Sequence, residues 1–253
     1  MRNVRALIGS LGLGLIFSLA HGQITESPET VAPGHYLLEM DALSLTIDHV
    51  DGGRYTGIGA ANTLFTTGLS ENLDLQLGLE IFLSQKYDLG GATERHRGVG
   101  DLYVRAKWRL YKDAATGTAV AVLPYVKIPT NTGGMGSHAI EGGVIFPCSV
   151  SLPGSCNLGA MAEADFLHND GRPGYAATWY GSMAMSRQVT KIVGLYAELA
   201  AGKPAGGARW AGVAGGGVTL AVSENCWWDL AVYRGISPDA ADWNPVLRFN
   251  FGF

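Results

Sequence analysis

Residues 101–111 read DLYVRAKWRLY. The odd positions are Asp101, Tyr103, Arg105, Lys107, Arg109 and Tyr111, and the even positions are Leu102, Val104, Ala106, Trp108 and Leu110. Side chains on a strand alternate between faces. The stretch therefore predicts a strand with one wholly apolar face and a ladder of three cations on the other. Two folds would use such a strand. A soluble sandwich would keep it at an edge with the polar face to water. A transmembrane barrel would turn Leu, Val and Trp to lipid and the cations to a polar lumen. The strand alone does not separate the two, so the rest of the chain must.

The N-terminus reads as a processing signal. Arg2 and Arg5 precede an uncharged apolar run, Ala6–Leu19, and Ala20-His21-Gly22 offers small residues at −3 and −1 of a cleavage site. Residues 1–22 are thus expected to be a signal peptide, with Gln23 opening the mature chain. The apolar run falls short of the roughly 20 residues of a spanning helix. Losing Arg2 and Arg5 moves the net charge from −4 to −6, which does not suit a binder of polyanions. Charged residues are 16% of the chain, against about 25% in ordinary soluble domains. The 36 glycines in 253 residues are about double the usual share. Few charges, many glycines and no helical span favour the barrel.

Residues 23–34 (QITESPETVAPG) are rich in Pro, Thr and Glu and read as a periplasmic N-terminal segment in loop conformation. Residues 35–253 then predict about twelve strands: His35–His49, Tyr55–Thr67, Leu73–Ser84, Asp101–Tyr111, Thr118–Ile128, Ile140–Ser149, Leu158–His168, Tyr175–Ser186, Lys191–Ala201, Trp210–Val222, Trp227–Gly235 and Asn244–Phe253. Each is near the 9–11 residues that cross a bilayer at a tilt. In the first, the apolar phase switches between Asp41 and Leu43, which implies a bulge near Ala42. Connections alternate between short turns (Leu69–Leu73, Lys112–Gly117, Val150–Ser155, Arg187–Thr190, Ser223–Asn225) and long loops (Gln85–Gly100, Pro129–Ala139, Asn169–Gly174, Gly202–Arg209, Ser237–Trp243). Val50–Arg54 is short on the long-loop side. The expected fold is therefore an all-β, transmembrane antiparallel β-barrel of the bacterial outer membrane, with short periplasmic turns and longer extracellular loops.

The final strand turns Leu247, Phe249, Phe251 and Phe253 to one face. A terminal Phe on an alternating aromatic strand resembles the signal by which outer-membrane proteins engage the barrel-assembly machinery. Trp108, Trp179, Trp227 and Trp228 fall where interfacial aromatics belong.

Five segments occur in order: GHYLLEMD at 34–41, GVGDLYVRAKWRLY at 98–111, PYVKIPTN at 124–131, GLYAELA at 194–200 and WDLAVYRGISPDAADW at 228–243. With them the chain resembles the outer-membrane family named for the MetA pathway of phenol degradation. The resemblance covers nearly the whole mature chain and implies an outer-membrane barrel with a transport role. It carries over no catalytic residues, and phenol is not established as a substrate by the family's name. Cys148 and Cys156 stand outside the family's pattern.

The phases turn Asp74, Glu80, Arg105, Lys107, Arg109, Tyr125, Lys127, Glu163, Asp165, Tyr196, Glu198, Asp229 and Arg248 to the lumen. Asp74 and Glu80 are expected to pair with Arg105, Lys107 and Arg109 across the ladder. Such a lumen is either a charged constriction that selects small solutes or a salt-bridge network that fills a narrow barrel. Passive transport of small molecules, aromatic or otherwise apolar compounds included, is the leading reading. A closed barrel with a structural or surface role is the alternative, and an outer-membrane hydrolase is a remoter one. Ser137 and His138 are adjacent, so an extended chain points them apart and they make a poor dyad. His96, His138 and His168 would bind a metal only if their loops met. No cofactor and no nucleic-acid partner is indicated. Glu94-Arg95-His96-Arg97 is a basic cluster at the outer end, suited to lipopolysaccharide phosphates, though a solvated loop is the plainer reading. Cys148 and Cys156 flank a short turn in an oxidising compartment and are a candidate disulfide.

Overall fold

The structure, a computed structural model, describes residues 23–50, 52–169, 173–203 and 209–253. The expected signal peptide, 1–22, lies outside the described residues. The strands are β1 (Tyr36–Val50), β2 (Gly53–Ala60), β3 (Asn62–Ser70), β4 (Leu73–Leu79), β5 (Phe82–Leu89), β6 (Ala92–Gly98), β7 (Leu102–Asp113), β8 (Thr118–Ile128), β9 (Glu141–Leu152), β10 (Cys156–His168), β11 (Tyr175–Gln188), β12 (Val193–Lys203), β13 (Ala211–Ser223), β14 (Cys226–Gly235) and β15 (Trp243–Gly252). All pair antiparallel in one sheet, and β15 pairs with β1, so the sheet closes. Three pairs of segments, β2–β3, β4–β5 and β6–β7, each continue one stave, which leaves twelve staves in the wall. The first break falls at Ala61, whose φ of 55° takes the backbone into the left-handed region.

Lipid explains the pattern of exposure. On β7 the outward Trp108 is 54% exposed while the inward Arg105 is 1% exposed, the reverse of a soluble sheet. Leu199, Leu230, Val232 and Phe146 are likewise exposed on the outside, while Glu198, Asp229 and Glu163 are buried within. A hydrocarbon solvent accepts the apolar face and rejects charge. The expected bulge is present: the β1–β15 register shifts between Asp41 and Leu43. It keeps Asp41 inside while turning Leu43 outward.

At the closure seam, Arg248 of β15 lies in register with Asp229 of β14 and Asp41 of β1. Its Nε donates to Asp41 Oδ1 at 2.7 Å. Outside, the Phe249, Phe251 and Phe253 rings stack in sequence, and Tyr36 stacks on both Phe253 and Phe65. An ion pair within and an aromatic ladder without thus fasten the two ends of the chain.

Four expectations change. Gln85–Gly100 is no loop: β5 and β6 form a hairpin that extends the wall, with β2, beyond the barrel's outer rim. Its charges and absent apolar alternation hid the strands. A second register shift, between Arg109 and Tyr111, turns Tyr111 outward and Lys112 inward. Trp227 faces the lumen, in register with the buried Asn250, because Trp228 takes the outward position. Cys148 and Cys156 are both free. Cys148 is in register with Ala160 and Cys156 with Leu152, so they are offset four residues along one hairpin. That is roughly 13 Å at strand rise, beyond disulfide reach.

Two outcomes follow from this wall. Val104→Arg places a cation on the lipid face and is expected to cost about 2–4 kcal/mol, lowering the heat-modifiable folded fraction in the membrane. Insertion equal to wild type would show the faces to be reversed. Cys148 and Cys156 are expected to alkylate in the folded, non-reduced barrel in detergent, and protection that only a reductant lifts would contradict the register.

Candidate functional site

The lumen is occupied by the chain's own N-terminal segment. Expected on the periplasmic side, it instead climbs the interior from the periplasmic end. Pro33 bridges to Gly68, where a Cβ would come within 2.3 Å of the Ala32 carbonyl oxygen. Gly68 therefore lets the segment lie against the wall. The Val31 amide donates to Asp74 at 3.2 Å. Glu29 accepts from Arg109 at 3.1 Å and from Lys112 at 2.7 Å. Glu26 pairs with Arg105 and lies 3.9 Å from Lys107. Higher still, the Ile24 and Thr25 amides donate to Glu198 at 2.9 and 2.5 Å, and Thr25 Oγ1 meets Ser182 Oγ at 2.7 Å.

The cationic ladder is thus answered chiefly by Glu26 and Glu29, and not by Asp74 and Glu80 across the sheet. Asp74 stands in register with Lys107 but serves the Val31 amide. Proline and threonine suit the segment to this path. They disfavour helix, and an extended chain offers its amides and side chains to the surrounding wall.

A second pattern repeats around the wall: a tyrosine lies across a glycine on the next strand and reaches an acid on the strand beyond. Tyr125 on β8 and Asp165 on β10 are both in register with Gly143 on β9. The Tyr125 hydroxyl donates to Asp165 at 2.5 Å, and a Cβ on Gly143 would lie 2.8 Å from the ring. Tyr233 on β14 crosses Gly215 on β13 to reach Glu198 on β12 at 2.6 Å. Tyr196 on β12 lies over Gly217 on β13 to reach Asp229 on β14 at 2.9 Å. Any side chain at these glycines would displace the ring. Gly143, Gly215 and Gly217 have this physical use.

The rings join two apolar clusters in the lumen. One gathers Leu64, Tyr103, Ala121, Leu123, Tyr125 and Ile145, with Met161 packed against it. The other gathers Tyr196, Ala200, Val213, Ala231 and Tyr233, with Ala240 from an outer loop and Ile24 from the N-terminal segment. At the periplasmic mouth, a cavity of about 250 Å³ is lined by Gln188, Ile192, Thr219, Ala221 and Trp227, among others.

At the outer end, the buried Asp101 accepts from the Asn131 and Ser137 amides and from both of their side chains, at 2.7–3.3 Å. A Cβ on Gly136 would strike the Asp101 carboxylate at 2.4 Å. Lys127 pairs with Glu141 and lies 3.9 Å from Asp101. Two of the sequence segments quoted above, GVGD and KIPTN, therefore hold each other at the outer rim. Elsewhere at the outer end, a hydrogen bond from the His49 ring holds the Asp242 carboxyl below the usual carboxylate range.

All eleven charged residues assigned to the lumen from the sequence face inward: Asp74, Arg105, Lys107, Lys127, Glu163, Asp165, Glu198, Asp229 and Arg248 are buried, and Glu80 and Arg109 partly so. Sequence reasoning missed Glu26, Glu29, Asp41, Lys112, Tyr103 and Tyr233. Three of these, Asp41, Tyr103 and Tyr233, were open to phase reading, and Tyr103 already shares the cation face of the 101–111 stretch. The partners in the N-terminal segment were not, because a loop carries no phase. The Ser137 hydroxyl is engaged by Asp101 and the Ala139 carbonyl, and His138 is exposed. His96 meets Glu94 and His168 meets Tyr175. Among the described residues no group of three or more potential ligands gathers to hold a metal.

The fold is that of outer-membrane channels. An outer membrane channel from Pseudomonas putida F1 superposes with a TM-score of 0.69 at 12% identity, covering 90% of this chain and 98% of that one. The translocator domain of the autotransporter NalP from Neisseria meningitidis gives 0.51 at 11% identity, covering 100% and 93%. The CymD monoaromatic hydrocarbon channel gives 0.50 at 9% identity, covering 88% of each chain. No curated protein matches by sequence. Residues 22–252 match the family described as "Putative MetA-pathway of phenol degradation", and the chain belongs to that family.

Proposed function

We propose that the barrel carries small molecules passively across the outer membrane and favours aromatic and other apolar compounds. The observation that carries this is the set of tyrosines lying across glycines. Their hydroxyls engage Asp165, Glu198 and Asp229, while their rings join the apolar clusters. A wall built this way spends its charges on itself and offers aromatic surface to a solute. An ion filter needs the opposite, free charge around a constriction, yet Arg105, Lys107 and Arg109 are engaged by Glu26 and Glu29. CymD, described as a monoaromatic hydrocarbon channel, is a precedent of similar fold. In this reading Asp74, Glu80, Lys127, Glu163, Asp165, Glu198, Asp229 and Arg248 set the lumen's potential and hold its rings, and the N-terminal segment shifts to admit solute. We assign no catalytic residue.

The density of contacts around Ile24–Val31 favours one competing reading, a barrel that stays closed in a structural or surface role. Proteoliposome influx with a panel of phenol-sized aromatics and small sugars separates the two. The wild type is expected to pass the aromatics faster than the sugars. Arg105→Gln, Lys107→Gln and Arg109→Gln together are expected to keep the fold, because the face stays polar. Freed from their partners, Glu26 and Glu29 should raise conductance and bias it to cations. No flux of any solute through wild type or variant would establish the closed barrel. Unchanged selectivity in a conducting variant would remove the ladder from the pathway.

The terminal aromatic ladder supports engagement of the barrel-assembly machinery by the last strand. Phe253 lies 52% exposed against Tyr36 and Phe251, outside the seam. Deleting Phe253 is expected to lower the heat-modifiable folded fraction in cells while leaving refolding into detergent largely intact. Normal assembly in cells would rule the signal out.

A further inference from the structure

We propose that the outward face of the β2–β5–β6 extension is a docking site for the phosphorylated headgroup of lipopolysaccharide. The register sets the residues of that face. One hydrogen-bonded row runs Arg234, Trp243, Ile47, Thr56, Lys86, Arg95 across β14, β15, β1, β2, β5 and β6. Paired residues share a face, and Trp243 is on the lipid side, 44% exposed with Arg234 over its ring at 5.4 Å. Lys86 and Arg95 therefore point outward, on the face that carries the Trp243–Arg234 pair.

The next row toward the rim places His49, Arg54, Asp88 and Thr93 on the same face, and the row below places Leu45, Ile58, Ser84 and Arg97 there. Arg54, Arg95 and Arg97 are exposed. None of their guanidinium groups has a hydrogen bond or ion pair among the described residues. The one carboxylate these three strands put on this face, Asp88, is taken by Lys86 and Thr93, each at 2.7 Å.

Neighbouring strands lie about 4.8 Å apart and alternate residues about 6.6 Å apart along a strand. Lys86, Arg95 and Arg97 thus form one cluster on a phosphate's scale, with Arg54 at its edge. On the same face stand Ile58 and Leu45, in Arg97's row, and beyond them toward the barrel Phe82, 41% exposed, and Leu43. Cations above an apolar wall, outside a barrel and at its extracellular end, match a lipid that carries phosphates over acyl chains in the outer leaflet. Arginine forks take phosphate oxygens two at a time. A soluble anion would have no use for the apolar half. Leaving β6 as an open sheet edge also accords with this, since edges are guarded by charge, and the charges β6 turns outward, Arg95 and Arg97, are both cations.

The site rests on the outer-membrane placement, and the test keeps the two apart. The full-length barrel, purified in detergent and scored for heat-modifiable folding, is titrated with bis-phosphorylated lipid A by native mass spectrometry. Lys86→Gln, Arg95→Gln and Arg97→Gln together are expected to weaken binding by about tenfold or more, with Arg209→Gln, elsewhere on the rim, at wild-type affinity. Should the triple variant fold poorly, Arg95→Gln alone, on the edge strand, is expected to weaken binding measurably. Dephosphorylated lipid A should bind weakly, and millimolar inorganic phosphate should not displace lipid A. Wild-type affinity in the folded variants, equal binding of dephosphorylated lipid A or of phosphatidylglycerol, or displacement by inorganic phosphate would each overturn the site. A barrel that folds and inserts yet ignores lipid A would sink the site while leaving the membrane placement standing.

Discussion

Neutralising charge inside a narrow barrel is the constraint from which the remaining structure follows. Lipid forces every charged side chain of a spanning strand to the interior. Twelve staves leave an interior between the packed eight-stranded and the water-filled sixteen-stranded cases. Charges there need partners, because an unpaired buried ion is strongly unfavourable. The protein meets this need in two ways. Acids on the wall take tyrosine hydroxyls laid across glycines, as at Tyr125, Gly143 and Asp165. Cations on β7 take Glu26 and Glu29, brought in by the N-terminal segment.

The two solutions have different consequences for access. A tyrosine–acid pair leaves an aromatic ring on the lumen side, packed in an apolar cluster. A cation–glutamate pair places backbone in the lumen. In the proposed transport the rings would meet the solute, while the ion pairs hold the segment that stands in its way. Because Arg105 is almost wholly buried, its pairing with Glu26 is sensitive to loss of either partner. Arg109 and Lys112 are more exposed, and their pairing with Glu29 contributes less. Any movement of the segment therefore depends most on the upper contacts, at Glu26 and at Thr25 with Glu198.

The outer end obeys the same logic with a different solvent. Where the sheet outgrows the hydrocarbon, β5 and β6 carry Lys86, Arg95 and Arg97 outward without penalty. Inside that rim, Asp101 gathers amides from the loop after β8 and fixes it against the barrel. The segments GVGD and KIPTN, separated along the chain, thus form one structural unit.

Much of this was legible in the sequence, for a physical reason. Period-two alternation is a local property, and lipid on one side makes it sharp. Val104, Arg105, Lys107 and Trp108 declare their faces without reference to any other strand, and the bulge beside Ala42 shows as a change of phase. The spacing of the strands gives the count of staves, and the lengths of the connections give the side on which short turns lie. Alternation says nothing where a segment has no phase. Gln23–Gly34 has none, so only the closed barrel shows that it fills the lumen and answers the cations. The strand β6 has charge on both faces, and β5 turns its charges Lys86 and Asp88 outward, so neither shows the apolar outer face that marks a lipid-facing strand. The spacing of Cys148 and Cys156 permitted a bridge, and the hairpin register removed it. Local chemistry determined which way each side chain faces. The partners inside depended on registers between strands and on a loop that enters the lumen, and those exist only once the sheet has closed.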